Sequence, residues 1–128
     1  MEKGIRFFSI VALIAAGVSA LPSSDDKPVW IHDGFATGEN YLEWSNAHKR
    51  TYAMGAINGM MLAPLFGAPK EKMKWLESYT ENMTGTQVAA IISKFLEENP
   101  GRWHEGLHVL TFAALREAYN KNHREGGE

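Results

Sequence analysis

The sequence predicts an all-α protein, a compact bundle of about four helices. Three observations carry this expectation. Apolar residues recur at three- and four-residue steps over long stretches, no segment alternates apolar and polar residues as a strand would, and proline or glycine stops divide the chain at short intervals. Short connections of this kind join antiparallel neighbours.

The first helix is expected over residues 38–62. Thr37 is its N-cap, and Glu39 sits where the helix dipole favours an anion. Its second half, residues 52–62, is almost wholly apolar or small and is expected to be buried. Gly55 and Gly59 stand four apart on one face, with Ala56 and Ala63 nearby. Small residues at that spacing let a second backbone approach closely. The stretch is too short and too polar at its start for a membrane dimer, so tight packing inside the bundle is expected there. Asn58 is the polar exception and is expected to bridge buried backbone groups.

Pro64 and Gly67 end this helix, and Pro69 can open the second at its first position. Met73, Leu76 and Tyr79 share one face of the second, with Trp75 at the margin. The third helix has the clearest start. Thr84 and Gln87 form a capping box, and Met83 and Val88 a hydrophobic staple. Val88, Ile91, Ile92, Phe95 and Leu96 then repeat at helical spacing until Asn99, Pro100 and Gly101 stop the run. The fourth helix is expected over residues 103–120. Leu107, Val109, Leu110, Phe112, Leu115 and Ala118 lie on most of its sides, the pattern of a central helix.

The organisation before and after these helices is simple. Residues 1–20 read as a cleaved signal peptide: Lys3 and Arg6, then the apolar run 7–18, then Val18, Ser19 and Ala20 at the cleavage site. An uncleaved anchor is the alternative. Residues 21–36 form an extended lead-in, 37–122 the helical domain and 123–128 a flexible tail. Export implies a periplasmic or secreted protein, with no stable membrane insertion after cleavage. Removing residues 1–20 takes away two of the 13 basic and one of the 15 acidic residues, leaving a net charge near −3. That balance speaks against a nucleic-acid partner, which needs a basic face. The chain has no cysteine, so packing or self-association must hold it together.

One motif spells chemistry. His104, Glu105, Gly106, Leu107 and His108 match the H-E-x-x-H pattern of zinc proteases. On a helix the two imidazoles would share a face and hold zinc, while the glutamate polarised its water. A third ligand is missing. Thr111 and Ala114 occupy the positions where one such family continues with glycine and histidine, and the downstream Glu117 lies on the same helix. His104 and His108 are therefore the zinc candidates, and the expectation is that no residue is catalytic and no cofactor or metal is bound. His104 or His108 is read instead as satisfying a rim hydrogen bond, and Glu105 as complementing the helix dipole. His32, His48, Asp25 and Asp26 have no evident partner in the sequence, and there is no phosphate loop or nucleophile elbow.

A longer pattern runs through the chain. Tyr52-x-x-Gly55-x-x-x-Gly59 is followed by Met83-Thr84-x-x-Gln87, by Phe95-Leu96-x-x-Asn99-Pro100, by Trp103-His104, and by Ala114-Leu115-x-x-Ala118-Tyr119. This order and spacing, over about residues 41–119, resemble the Rap/Tai family of periplasmic immunity proteins. The resemblance implies a small, mostly helical, often dimeric protein of the Gram-negative periplasm. It implies that the protein is not an enzyme, and that its partner is a peptidoglycan amidase effector delivered by type VI secretion, whose active site it blocks. His104 would then have a packing role. The family's cysteines would fall near Lys49, Ser78 and Lys121, and their absence marks a divergent, cysteine-free branch. A general envelope adaptor or chaperone on the same scaffold is the alternative.

Overall fold

A computed structural model describes residues 35–126. The expected signal peptide and most of the expected lead-in fall outside the described residues. Within them the protein is all-α: 78% of the residues are helical and no strand forms. The α-helices are α1 (Gly38–Glu43), α2 (Asn46–Met61), α3 (Lys74–Thr80), α4 (Gly85–Glu98) and α5 (Leu107–Glu125), with short 3-10 turns at Ala63–Phe66, Lys70–Lys72 and Pro100–Arg102.

The long first helix of the sequence reading is two helices. Thr37 caps α1 in a capping box, its hydroxyl accepting from the Asn40 backbone N–H (3.3 Å) while the Asn40 side chain accepts from the Thr37 N–H (3.0 Å). Trp44 then turns extended, and the Ser45 hydroxyl starts α2 by accepting from the His48 N–H (3.2 Å). A second N-cap inside an otherwise helical run is enough to break it, because the cap residue must be non-helical. The break lets the Tyr41 hydroxyl reach across the core and donate to the Ala89 carbonyl at 2.8 Å.

α4 is the centre of the bundle, packed against both α2 and α5. Its box forms as the sequence predicts: the Thr84 N–H donates to the Gln87 side chain (2.8 Å) and the Gln87 N–H to the Thr84 hydroxyl (3.2 Å). Val88, Ala89, Ile92, Phe95 and Leu96 are buried along one face, and Met83 is half-buried beside them. Asn99 ends the helix by donating from its side chain to the Phe95 carbonyl (2.8 Å).

The expected central helix, by contrast, lies at the side. α5 buries Leu107, Leu110, Thr111, Ala114 and Leu115, a single stripe at three- and four-residue steps, while Val109 and Phe112 are each 46% exposed. It also starts later, at Leu107, and continues to Glu125. In α3, Leu76 is buried, and Met73, Trp75 and Tyr79 pack partly against the core. Pro69 caps a 3-10 turn rather than opening α3 directly.

A backbone clasp closes the bundle. Thr37 and Gly106 form an antiparallel bridge, the Leu107 N–H donates to the Ala36 carbonyl (2.7 Å), and the Glu39 N–H donates to the Trp103 carbonyl (3.0 Å). The Trp103 indole donates to the Leu96 carbonyl at 2.7 Å, which ties the same loop to the end of α4. Gly38 makes the clasp close enough: a Cβ there would stand 2.8 Å from a Leu96 methyl and 2.9 Å from a Leu110 methyl.

Candidate interaction surfaces

The H-E-x-x-H spelling is not helical. Gly106 is the N-cap of α5, so His104 and Glu105 precede the helix and His108 belongs to its first turn. The register that would put both imidazoles on one helical face does not exist. Glu105 is held by Arg102 through two short contacts, 2.6 Å to Nε and 2.7 Å to a terminal nitrogen. The Arg102 hydrogen bonds, and then its charge, pull the Glu105 carboxyl below its usual value. His108 leans over Gly106 and lies 4.6 Å, ring to ring, from Phe35. Among the described residues, no three His, Asp or Glu side chains converge as metal ligands would. The contacts of this loop are charge pairing and packing.

The second half of α2 is where the structure departs most from the sequence reading. Of residues 52–62 only Ala53 is buried. Met54 is 59% exposed, and Gly55, Asn58, Gly59 and Leu62 are exposed too. Nothing stands within 4 Å of a Cβ built on Gly55 or Gly59, so the expected tight packing at those residues is absent. The close helix approach happens at Gly85 instead, where a Cβ would meet the Met54 side chain at 2.9 Å and the Arg50 carbonyl at 3.3 Å. The cause is geometric: the second half of α2 is apolar or small on most sides, and its main packing partner, α4, covers one of them. Its open flank, together with the first turn of α5, forms an apolar groove of about 490 Å³ over Tyr52, Gly55, Gly59, Met60 and His108. Beyond it the 3-10 turn carries Leu65 and Phe66, 79% and 87% exposed. Residues 51–69 contain no charge at all.

A stripe of rings runs along α5. Phe112 lies one turn beyond His108 and meets Trp75 of α3 edge-on at 5.7 Å. Trp75 also contacts Tyr119 at 5.3 Å, Tyr79 meets Tyr119 at 5.7 Å, and Tyr119 meets His123 at 3.9 Å. Over these rings lies the Arg116 guanidinium, 4.7 Å from the Trp75 centroid and 5.8 Å from that of Tyr119. On the neighbouring flank Lys121 pairs with Glu117 (2.7 Å) and Glu98 (3.8 Å), so its position, where the resembling family has a cysteine, carries an ion network.

The signature residues divide between core, caps and surface rather than converging on one site. Leu96 and Leu115 are buried, and Ala118 and Tyr52 are half-buried. Thr84 and Gln87 cap α4, Pro100 opens a 3-10 turn, Trp103 clamps α4, and His104 is exposed. Burial pushes the Tyr41 and Tyr52 phenols above the usual tyrosine range. Beside Tyr52, the Thr111 hydroxyl is fully buried and meets no partner at hydrogen-bonding geometry.

Sequence reasoning missed the Trp75–Arg116 stack. Phe112, Arg116, Tyr119 and His123 do follow one another at three- and four-residue steps, which was a legible signal for a shared face. What could not be read was that α3 would set Trp75 beneath Arg116. Comparison with protein-family models, with curated proteins and with solved structures finds no match to this chain.

Proposed function

We propose that this protein is a non-enzymatic binding protein of the cell envelope, an immunity protein that neutralises a type VI-delivered peptidoglycan amidase. The observation that carries the reading is the uncharged stretch 51–69. It leaves Met54, Leu62, Leu65 and Phe66 exposed, and two of its glycines line an apolar groove. Exposed apolar surface within one uncharged stretch marks a place for a partner. The ordered motif series and the export signal expected from residues 1–20 support the envelope and immunity parts.

Self-association fits the same surface. At Gly55 and Gly59 no side chain stands between α2 and a second helix, so two backbones can cross closely there. A second copy of the chain on the α2 groove would leave the rest of the exposed apolar stretch and the α5 face open to an effector.

The deciding experiment is toxicity rescue. Amidase-like genes flanking the coding sequence are expressed with a periplasmic leader, with and without the full-length chain. Restored growth with one of them, and a stable complex on co-purification, is the expected result. Failure to protect against any of them would remove the immunity role. The exposed apolar stretch also suits a general envelope chaperone; suppressed aggregation of several unrelated unfolded proteins would favour that reading over a single cognate partner.

A further inference from the structure

The face built by Trp75, Phe112, Arg116 and Tyr119 has the composition and geometry of a contact site. Tryptophan, tyrosine and arginine are the residue types that dominate binding energy at protein interfaces. Here they are preassembled by α3 and α5. Phe112 is half-open to solvent, Trp75 lies edge-on to it, and the Arg116 guanidinium is laid over Trp75 and Tyr119.

Arg116 is an exposed cation laid over two rings and not engaged by a carboxylate. Arg102 has Glu105, Lys121 has Glu117 and Glu98, and Lys94 reaches Glu98. Arg116 has no carboxylate and no hydrogen-bond acceptor among the described residues; it lies over the two rings. Its position explains this, because Phe112, Ala113, Tyr119 and Asn120 occupy the neighbouring helical positions and none is acidic. The guanidinium carries five N–H donors in one plane. Contact with the two rings restrains the group while the side chain stays exposed, so less rotational freedom remains to be lost on binding.

A planar fork of donors matches a planar pair of acceptors, and a carboxylate is the commonest protein group with that shape. The rings around it require an apolar neighbour. Phosphate polymers match less well, because the chain is net acidic and Glu98 and Glu117 lie on the adjoining flank.

We propose that Trp75, Phe112, Arg116 and Tyr119 form the contact site for a protein partner that presents an aspartate or glutamate side chain beside an aromatic or aliphatic one. The proposal deepens the binding-protein reading and rests on it; it does not depend on the partner being an amidase.

The test uses the chain without residues 1–20 as the target for selection from a phage-displayed random peptide library. Selected peptides are then made with each acidic residue or its amide. The expected peptides carry an acidic residue next to an apolar one. Their affinity falls about tenfold or more on the acid-to-amide change and on Arg116→Ala, and several-fold on Arg116→Lys, which keeps the charge but loses the fork. Thr86→Ala, on the exposed side of α4, leaves affinity unchanged. An unaltered helical circular dichroism signal for Arg116→Ala shows that the variant is folded. No selected peptide, peptides indifferent to Arg116, or equal Arg116-dependent binding of a single-stranded oligonucleotide would overturn the proposal. The two readings fail separately. If the wild-type chain rescues cells and Arg116→Ala rescues equally well, the contact site falls and immunity stands. If peptides bind as expected and no rescue occurs, immunity falls and the contact site stands.

Discussion

The guanidinium of Arg116 lies 4.7 Å from the centroid of the Trp75 ring, and this stack joins α3 to α5 at the protein surface. Exposed cation–ring contacts contribute about 0.5–1 kcal/mol. Arg116→Ala is therefore expected to lower the unfolding free energy by about that amount in a urea titration, without loss of the native fold. A drop several times larger would mean that Arg116 is a structural keystone rather than a surface residue held ready.

Gly38 is hemmed in by both core side chains and backbone. A methyl group there meets Leu96, Leu110 and the Trp103 backbone at 2.8–3.2 Å, and the last of these is fixed by the clasp. Gly38→Ala is expected to destabilise by about 1–3 kcal/mol despite the better helix propensity of alanine. Thermal unfolding by circular dichroism measures it. Gly101→Ala, with nothing within 4 Å, serves as the control and is expected to be near neutral.

Gly55 and Gly59 make the opposite prediction. Both lie inside α2 with open space around them, so alanine at either position is expected to raise stability by up to about 1 kcal/mol. If the α2 groove is used for self-association, the bulkier Gly55→Leu and Gly59→Leu should shift a dimer to monomer in sedimentation equilibrium while leaving the fold intact. A wild-type chain that is monomeric at micromolar concentration would refute the dimer.

The pH dependence follows from two sets of groups. Burial raises the Tyr41 and Tyr52 phenols above the ordinary value of 10.0, so the unfolded chain loses these protons first. Their contribution is complete below pH 10.0 and is lost as pH rises from there through the folded values. Glu105 runs the other way. Arg102 lowers its carboxyl below 4.5, so its contribution is present above pH 4.5 and disappears as pH falls through the depressed value. Urea midpoints measured across the pH range should therefore fall at both ends. Tyr52→Phe should soften the alkaline loss, and Glu105→Gln should remove part of the acid loss.

The legible parts of this protein are those in which a few neighbouring residues decide the outcome. Thr84 with Gln87 determines where α4 begins, Asn99 with Pro100 where it ends, and the spacing of Val88, Ile92, Phe95 and Leu96 which face it buries. Thr37 likewise marks the start of α1. Ser45 is a cap of the same kind, a short hydroxyl residue three positions before the N–H from which it accepts.

The sequence by itself determined the all-α character of the described residues and the caps at Thr37 and Thr84, since each depends on hydrogen bonds made within a few residues. Tertiary structure decided which apolar faces would be covered. The second half of α2 and part of α5, at Val109 and Phe112, stay open although both are apolar, and the order of helices in space cannot be read from the periodicity of any one of them. It also decided the fate of the H-E-x-x-H spelling. The backbone groups of residues 103–107, which a continuous helix would have used internally, pair with Ala36, Gly38 and Glu39 instead. A partner some seventy positions away in the chain thus holds His104 and Glu105 outside the helix that begins at Leu107.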